Sequence, residues 1–412
     1  MRFWIFAFFA TCILQSLCAC VWSSTESDSD YLPFDDSEYP YAGLPRVVIE
    51  TENFSQIRDQ STEHAARLQI FGDSVPLGNI MELSIKGRGN SSFTGMPKAS
   101  YKIKFAQKQG FYGMPKDRDW VLLANSSDRT FLNNFITYKL SSRLSKGYSP
   151  KAKYVELYLN RQYQGIYLLA ESIKVSEERV DIQECELCFL VEKGKYFNDD
   201  DVFIKTNNNH LFFIKSKNKN SPQARESLKK HLDSLESKFS HKQLDDIDLW
   251  ISLDDYMPYY WIQEFSKNLD GNFYKSIYFT YEQGGPIKFG PVWDFDLAYG
   301  NTSESQVQKY SGWYVKDSPW NRELLSQKQV IDRSVDFWHR NLPYFEALVD
   351  TIDKYSAQIR RATDNEFKRW PTLSNTENWM YNKKYDSYDD AVEDLKQWIK
   401  SRITWINENL GK

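Results

Sequence analysis

The sequence predicts an α+β protein: a mixed or antiparallel sheet followed by a helical C-terminal part. Three observations predict it. Residues 81–105 contain two runs that alternate apolar and polar side chains, the period of a half-buried strand. Residues 153–171 read as two further runs around a short polar turn, a hairpin. Beyond about residue 315 the apolar spacing changes to the three-to-four-residue repeat of helices.

From the N-terminus, Met1-Arg2 precedes FWIFAFFATCILQSL, an apolar run too short and wrongly flanked for a membrane span; residues 1–20 read as an export signal. The run ends in Leu17-Cys18-Ala19-Cys20, similar to the lipobox of bacterial lipoproteins, where cleavage leaves a lipidated cysteine, here Cys20; ordinary cleavage nearby is the plainer alternative. Residues 21–44 are acidic and serine-rich without apolar periodicity, and are expected to form a flexible tether. The expected location is therefore the cell envelope or surface, with the chain held by a lipid anchor. With Cys20 lipidated, Cys185 and Cys188 remain in C-E-L-C, which an oxidising compartment allows to close into a local disulfide. No second C-x-x-C is present for zinc, so the pair reads as structural or incidental.

A domain is expected over 45–315, with 316–412 as its helical extension. MELSIKG (81–87) sets Met81, Leu83 and Ile85 against Glu82, Ser84 and Lys86, and SYKIKF (100–105) sets Tyr101, Ile103 and Phe105 against Lys102 and Lys104. Residues 127–144 place Phe131, Leu132, Phe135, Ile136, Leu140 and Leu144 on one helical face, with Ser127 or Asp128 as N-cap. Strands are expected at 187–193, 201–206 and 211–216, helices over 221–239 and 252–270, and strands again over 275–282 and 285–293. The last segment, 388–410, is an amphipathic helix capped by Ser387.

The balance of 41% hydrophobic and 26% charged residues is that of a globular protein. A net charge of −4 leaves no broad basic surface, so no nucleic-acid partner is expected. The 16% aromatic content suits a heavily packed core better than exposed binding platforms.

The chemistry gathers around GPVWDFDLAYGN, residues 290–301. Asp294 and Asp296 lie between Trp293 and Tyr299, where ionised carboxylates need a cation. Asp270 closes a helical run upstream, with two expected strands between it and Asp294. A strand pair between a helix end and an acidic loop brings both carboxylates to one mouth of a sheet, the order in which protein kinases place a catalytic and a metal-binding aspartate. KGRGNSS offers a phosphate loop: Gly87 and Gly89 let the backbone approach, Arg88 brings charge, and Asn90, Ser91 and Ser92 bring donors. Lys102 and Lys104 follow on the next strand, and Glu171 ends the hairpin. Each piece has a plainer reading: a turn, a solvated strand face, a glutamate facing water, Asp294 capping a turn with Asp296 paired to an arginine. Their order along the chain is what joins them.

The chain resembles the CotH family, spore coat protein H-like proteins with an atypical protein-kinase fold. The resemblance rests on IKGRGNSSF, PKASYKIKF, RDWVLLANSSDRTFLNNFITYKLS, YSPKAKYVELYLNRQYQGIYLLAESIKV, SKNLDG and FGPVWDFDLAYGN, in that order, from about residue 80 to 301, and is loose beyond. It implies an atypical protein-kinase-like fold and transfer of the ATP γ-phosphate to Ser or Thr (or Tyr) hydroxyls of a surface or secreted protein, with Mg²⁺ or Mn²⁺. By position, Asp270 matches the catalytic aspartate and Asp294 the metal-binding one; Asp296 assists at the metal or holds the loop. Arg88 and Lys102 or Lys104 fall where phosphate contacts are expected, Glu171 where a Lys–Glu pair is expected, and Trp293 is a candidate to stack on adenine. Asn268 and Asn272 are the nearest asparagines for a second metal, and the HRD and Walker signatures are absent. The partners implied are a protein phosphoacceptor and, through Cys20, a lipid membrane. Two other classes stand beside this one: a non-catalytic surface-anchored structural or glycan-binding module on a kinase-like fold, and a glycosidase using Asp270 and Asp294 as acid and base.

Overall fold

A computed structural model of the chain describes residues 31–89, 91–195, 201–375, 378 and 383–411. Cys20 with its lipobox, and Asn90, lie outside the described residues. No helix among the described residues is long and apolar enough to cross a membrane.

The first half of the chain builds a closed barrel. Its strands are β1 (Arg46–Thr51), β2 (His64–Gly72), β3 (Val75–Pro76), β4 (Met81–Arg88), β5 (Ser100–Gln109) and β6 (Asp117–Leu123), then β7 (Ala152–Leu159) and β8 (Gln162–Glu171). A helical turn, α1 (Ser91–Thr94), follows β4, and α2 (Asn133–Leu144) separates β6 from β7. The sheet runs β1-β7-β8-β6-β5-β4-β2-β3, and β1 also pairs with β2, so seven strands close with β3 appended. Only the β1–β7 pairing is parallel; the others in this sheet are antiparallel. Closure leaves the seven strands without a free edge.

The alternation read from the sequence decides which side is inside. Leu83, Ile85, Ile103 and Phe105 fill the barrel with Val47, Leu68, Trp120 and Leu157, while Lys86, Lys102 and Lys104 stand on the outer face. The β7–β8 turn places Asn160 and Arg161 at φ 52° and 66°, the left-handed pair that a two-residue hairpin turn requires.

The second half builds a smaller antiparallel sheet and a helical mass. The sheet contains β9 (Cys188–Gly194), β10 (Phe203–Lys205), β11 (Leu211–Ile214), β12 (Ile277–Glu282) and β13 (Lys288–Phe289), in the order β10-β11-β9-β12-β13. Between β11 and β12 lie α3 (Pro222–Ser240) and α4 (Leu253–Ser266). The chain ends in α5 (Ser305–Gln308), α6 (Pro319–Leu324), α7 (Lys328–Glu346), α8 (Leu348–Arg369) and α9 (Tyr388–Asn409). Ser221 and Ser387 cap α3 and α9 by accepting from the backbone N–H groups of Ala224 and Asp390. Cys185 and Cys188 form a disulfide, S–S 2.00 Å, where the chain turns into β9.

Three expectations need correction. The tether expected over 21–44 is, in its described part, packed: Leu32 is buried and its N–H donates to Gln69, Phe34 meets Phe71, and Tyr39 stacks on Tyr163 at 4.4 Å. Those apolar residues are too irregularly spaced to show a period, yet they cover the outside of the barrel. Helix α2 starts at Asn133, five residues past Asp128, because Asp128 spends one oxygen on Thr130 and reaches the Asn133 N–H with the other at 2.8 Å. Of the strand expected over 285–293, Lys288–Phe289 pairs with β12 and Ile287 forms an isolated bridge to Ile251; the chain then passes a cis Gly290–Pro291 bond into the acidic loop.

Two buried ion pairs bind the helices to the rest. Glu366 of α8 lies 2.9 Å from the Lys98 ammonium and accepts from the Ile166 N–H at 2.6 Å. Gly165 is what lets it in, since a Cβ there would lie 2.0 Å from a Glu366 oxygen. Arg402 of α9 meets Glu264 of α4 at 2.7 Å, both side chains fully buried. Arg402 also donates to the carbonyls of Glu264, Phe265, Tyr310 and Gly312. Removing one partner of such a pair strands the other charge, at a cost of about 3–5 kcal/mol. Arg402→Met is therefore expected to lower the denaturant midpoint by about that stability and to open the 310–316 loop to protease, both measurable on the purified chain.

Candidate active site

Asp270 is positioned by the way α4 ends. Lys267 takes the left-handed conformation, φ 46°, and terminates the helix. Its ammonium donates to the carbonyls of Gln306, Lys309 and Ser311. Asn268 accepts from the Asp270 N–H at 3.3 Å and donates to Gln263, which donates to Tyr259. Gly271 packs so closely on Gln263 that a Cβ would lie 2.2 Å from its oxygen. The following turn closes on the Asp270 carbonyl, which accepts from the Tyr274 and Lys275 N–H groups at 3.1 and 3.3 Å.

That turn delivers a lysine to the aspartate. The Lys275 ammonium lies 3.1 Å from Asp270 Oδ2 and 3.6 Å from Asp294 Oδ2. Ser276 donates to the same Asp294 oxygen at 2.9 Å. Asp294 itself sits at φ 68°, a left-handed conformation that aspartate tolerates better than most residues. Its loop is anchored from α2: Asn134 accepts from the Phe295 N–H at 2.8 Å, and Asn133 donates to the carbonyl of Ala298 at 3.2 Å. Asn301 donates to the Asp296 carbonyl at 2.6 Å, and Ser127 to the Asp296 carboxyl at 3.0 Å.

The barrel contributes Arg88 from the end of β4. Its guanidinium lies 4.9 Å over the Trp293 ring. Trp293 is 4% exposed and stacks on Tyr138 at 5.7 Å. It is thus a platform for Arg88 and has almost no free surface for a base, contrary to its expected role on adenine.

The expected Lys–Glu pair does not form, and register explains why. Across the barrel Lys102 aligns with Val121 and then Ala170, whereas Ile103 aligns with Trp120 and then Glu171. Aligned residues share a face and neighbours alternate, so Glu171 lies on the opposite face from Lys102 and Lys104. Glu171 is fully buried against Arg179 at 2.8 Å and accepts from Tyr148 and the Lys151 N–H. Lys102 pairs with Asp119 at 3.7 Å, and Lys104 is exposed. Lys102 shares its face with Val121 and Ala170, which belong to the same core as Trp293. Asn268 is consumed by the loop it shapes, and Asn272 hydrogen-bonds to Tyr314.

Sequence reasoning missed Lys275, Ser276, Asn133, Asn134 and Asn301, and took Ser127 as a helix cap. For Lys275 a signal was present, a lysine five residues beyond Asp270; Asn133 and Asn134 carry none, because their partners lie about 160 residues away in the chain.

Three carboxyls thus face one lysine and one nearby arginine. Burial, then the charge of Asp294, pushes Asp270 up to about 7. Burial and the same charge push Asp296 up to about 8. Burial acts to raise Asp294 as well, but Lys275 and Arg88 outweigh it and hold Asp294 below the ordinary carboxylate value. Asp296 lies within hydrogen-bonding reach of Asp294. Asp294 remains 32% exposed and Asp270 only 4%. Among the described residues no group of three or more His, Cys, Asp or Glu side chains is gathered closely enough to hold a metal unaided. Asp294, kept ionised by Lys275 and Arg88, and Asp296 once it gives up its proton nevertheless offer hard oxygens, a donor set that fits Mg²⁺ or Mn²⁺ when phosphate supplies further ligands.

Folded Asp270 holds its proton more tightly than the unfolded chain does, so its contribution to stability is complete below about pH 4 and is lost as pH rises through about 7. A shift from 3.8 to about 7 corresponds to at most about 4 kcal/mol. Melting temperature, measured without metal, is expected to fall across that window, and Asp270→Asn to flatten the fall.

No curated protein sequence matches the chain. A family model described as CotH kinase protein matches residues 85–406. The match runs from β4 through α9, well beyond residue 301, so the helical part is included in the family pattern. The chain belongs to the CotH family.

Proposed function

We propose that the chain is an exported protein kinase with an atypical kinase-like fold, moving the γ-phosphate of ATP to Ser or Thr (or Tyr) hydroxyls of surface or secreted proteins. Anchoring through Cys20 is part of the same proposal. The observation that carries it is the convergence of Asp270 and Asp294 on Lys275, in a chain of the CotH kinase family.

In this reading Asp294, with Asp296, would hold the divalent cation, which when bound offsets the charge of the nucleotide phosphates. Arg88, and Lys102 on the barrel face turned toward Trp293, meet phosphate oxygens as fixed positive charges. Lys104, exposed on the same strand, and Asn90 in the glycine loop are secondary candidates for the same task. Asp270 orients the acceptor hydroxyl and accepts its proton. As that oxygen bonds to the γ-phosphorus, the bond from phosphorus to the bridging oxygen breaks and ADP leaves. A general base held to about 7 suits this at neutral pH.

A non-catalytic structural or glycan-binding module is the second reading, and the missing Lys–Glu pair favours it. The glycosidase reading is disfavoured by Lys275, which lies between the two carboxyls where a glycosidic oxygen would have to enter.

Incubation of the chain with labelled ATP and Mg²⁺ or Mn²⁺ is expected to transfer label to itself or to a Ser-rich protein. Asp270→Ala is expected to reduce transfer by about 10²–10⁴-fold, and Asp294→Ala to abolish it together with metal-dependent nucleotide binding. Absence of label, with no thermal stabilisation by nucleotide, would favour the binding module.

A further inference from the structure

Asp294 already has a cation. Lys275 Nζ and Ser276 Oγ both address Asp294 Oδ2, at 3.6 and 2.9 Å. Lys275 also holds Asp270 at 3.1 Å, and its side chain is only 23% exposed. The arrangement is fixed from behind, because the Lys275 and Tyr274 N–H groups bond the Asp270 carbonyl. Arg88 adds a second positive charge near Asp294. A divalent cation arriving alone at Asp294 would therefore meet an ammonium already 3.6 Å from the carboxylate oxygen, and like charges that close repel strongly in a recess of reduced dielectric. A cation arriving with nucleotide brings phosphate oxygens, and these give the ammonium another anion to bind.

We propose that Lys275 gates metal loading: it guards Asp294 against a bare divalent cation and releases it when nucleotide phosphates arrive to take the ammonium. The inference rests on the reading of Asp294 as the metal-binding residue. Lys275 acts through Asp294 and is a positioning residue. Its removal is expected to have two opposite effects, tighter metal binding without nucleotide and weaker coupling between metal and nucleotide. A lysine that only supported the fold would weaken both.

The test is a Mn²⁺ titration followed by the paramagnetic resonance of free Mn²⁺, with and without a non-hydrolysable ATP analogue. Wild type, Lys275→Met, Lys275→Arg and Asp294→Asn would be compared, with a thermal melt to confirm folding. In wild type the analogue is expected to raise Mn²⁺ affinity at least tenfold. Lys275→Met is expected to bind Mn²⁺ alone at least tenfold more tightly than wild type and to lose most of that coupling, while Lys275→Arg stays close to wild type. Folded Lys275→Met that binds Mn²⁺ no more tightly than wild type would overturn the gate. Wild type that binds Mn²⁺ equally with and without analogue would overturn it too, without reliance on any variant. If wild type takes up no Mn²⁺ even with analogue, or Asp294→Asn takes up as much, the metal reading of Asp294 fails and the gate with it.

Discussion

The site depends on one buried ion pair, Glu264 with Arg402. Glu264 lies in the last turns of α4, six residues before Asp270, and its carboxylate accepts from the N–H groups of Tyr314 and Lys316 as well as from Arg402. Arg402 in turn satisfies the carbonyls of Tyr310 and Gly312. A helix, a loop and the final helix are thereby fixed around two opposite charges that have no water to fall back on. In such a place the pair is kept intact because either charge alone is untenable. The helix end that presents Asp270 is fastened by these contacts.

The two halves of the molecule contribute unequally to the candidate site. The barrel supplies Arg88 and a face carrying Lys102, whereas the acidic residues come from the loops around β12 and β13. Helix α2, which belongs in sequence to the barrel half, crosses between them through Asn133 and Asn134. Because α2 holds the acidic loop by its backbone, the carboxyls of Asp294 and Asp296 stay free to meet each other, Ser276 and Ser127. Their pairing keeps charge crowded, which is how burial and a neighbouring carboxylate come to push Asp270 and Asp296 in one direction and two cations push Asp294 in the other.

Much of this was legible in the sequence where the signal is local. Alternation identified β4, β5 and the β7–β8 hairpin, and a serine cap marked α9. The order of Asp270 and Asp294 around a strand pair pointed to a shared mouth. Long-range facts were not legible. Barrel closure needs the β1–β2 and β1–β7 registers, and no periodicity in β1 announces its partners. Order along the chain and the family resemblance pair Glu171 with a lysine, yet a one-residue parity, visible only once β5, β6 and β8 are aligned, places them on opposite faces. Arg402 falls in the apolar run of the last helix by spacing, yet nothing local names its partner, since the carboxylate that meets it lies far upstream. Lys275 was absorbed into a strand that begins two residues later.

The separation between Glu264 and Arg402, 138 residues, also has a consequence in time. At a synthesis rate of about 5–20 residues per second, Glu264 exists for roughly 7–30 s before its cation has been made. During that interval α4 cannot bury its carboxylate, and the loop that Arg402 fastens has no anchor. A nascent chain can complete the barrel while the half that carries Asp270 and Asp294 stays unfinished, so the chain order builds in a delay between folding the first core and assembling the acidic cluster.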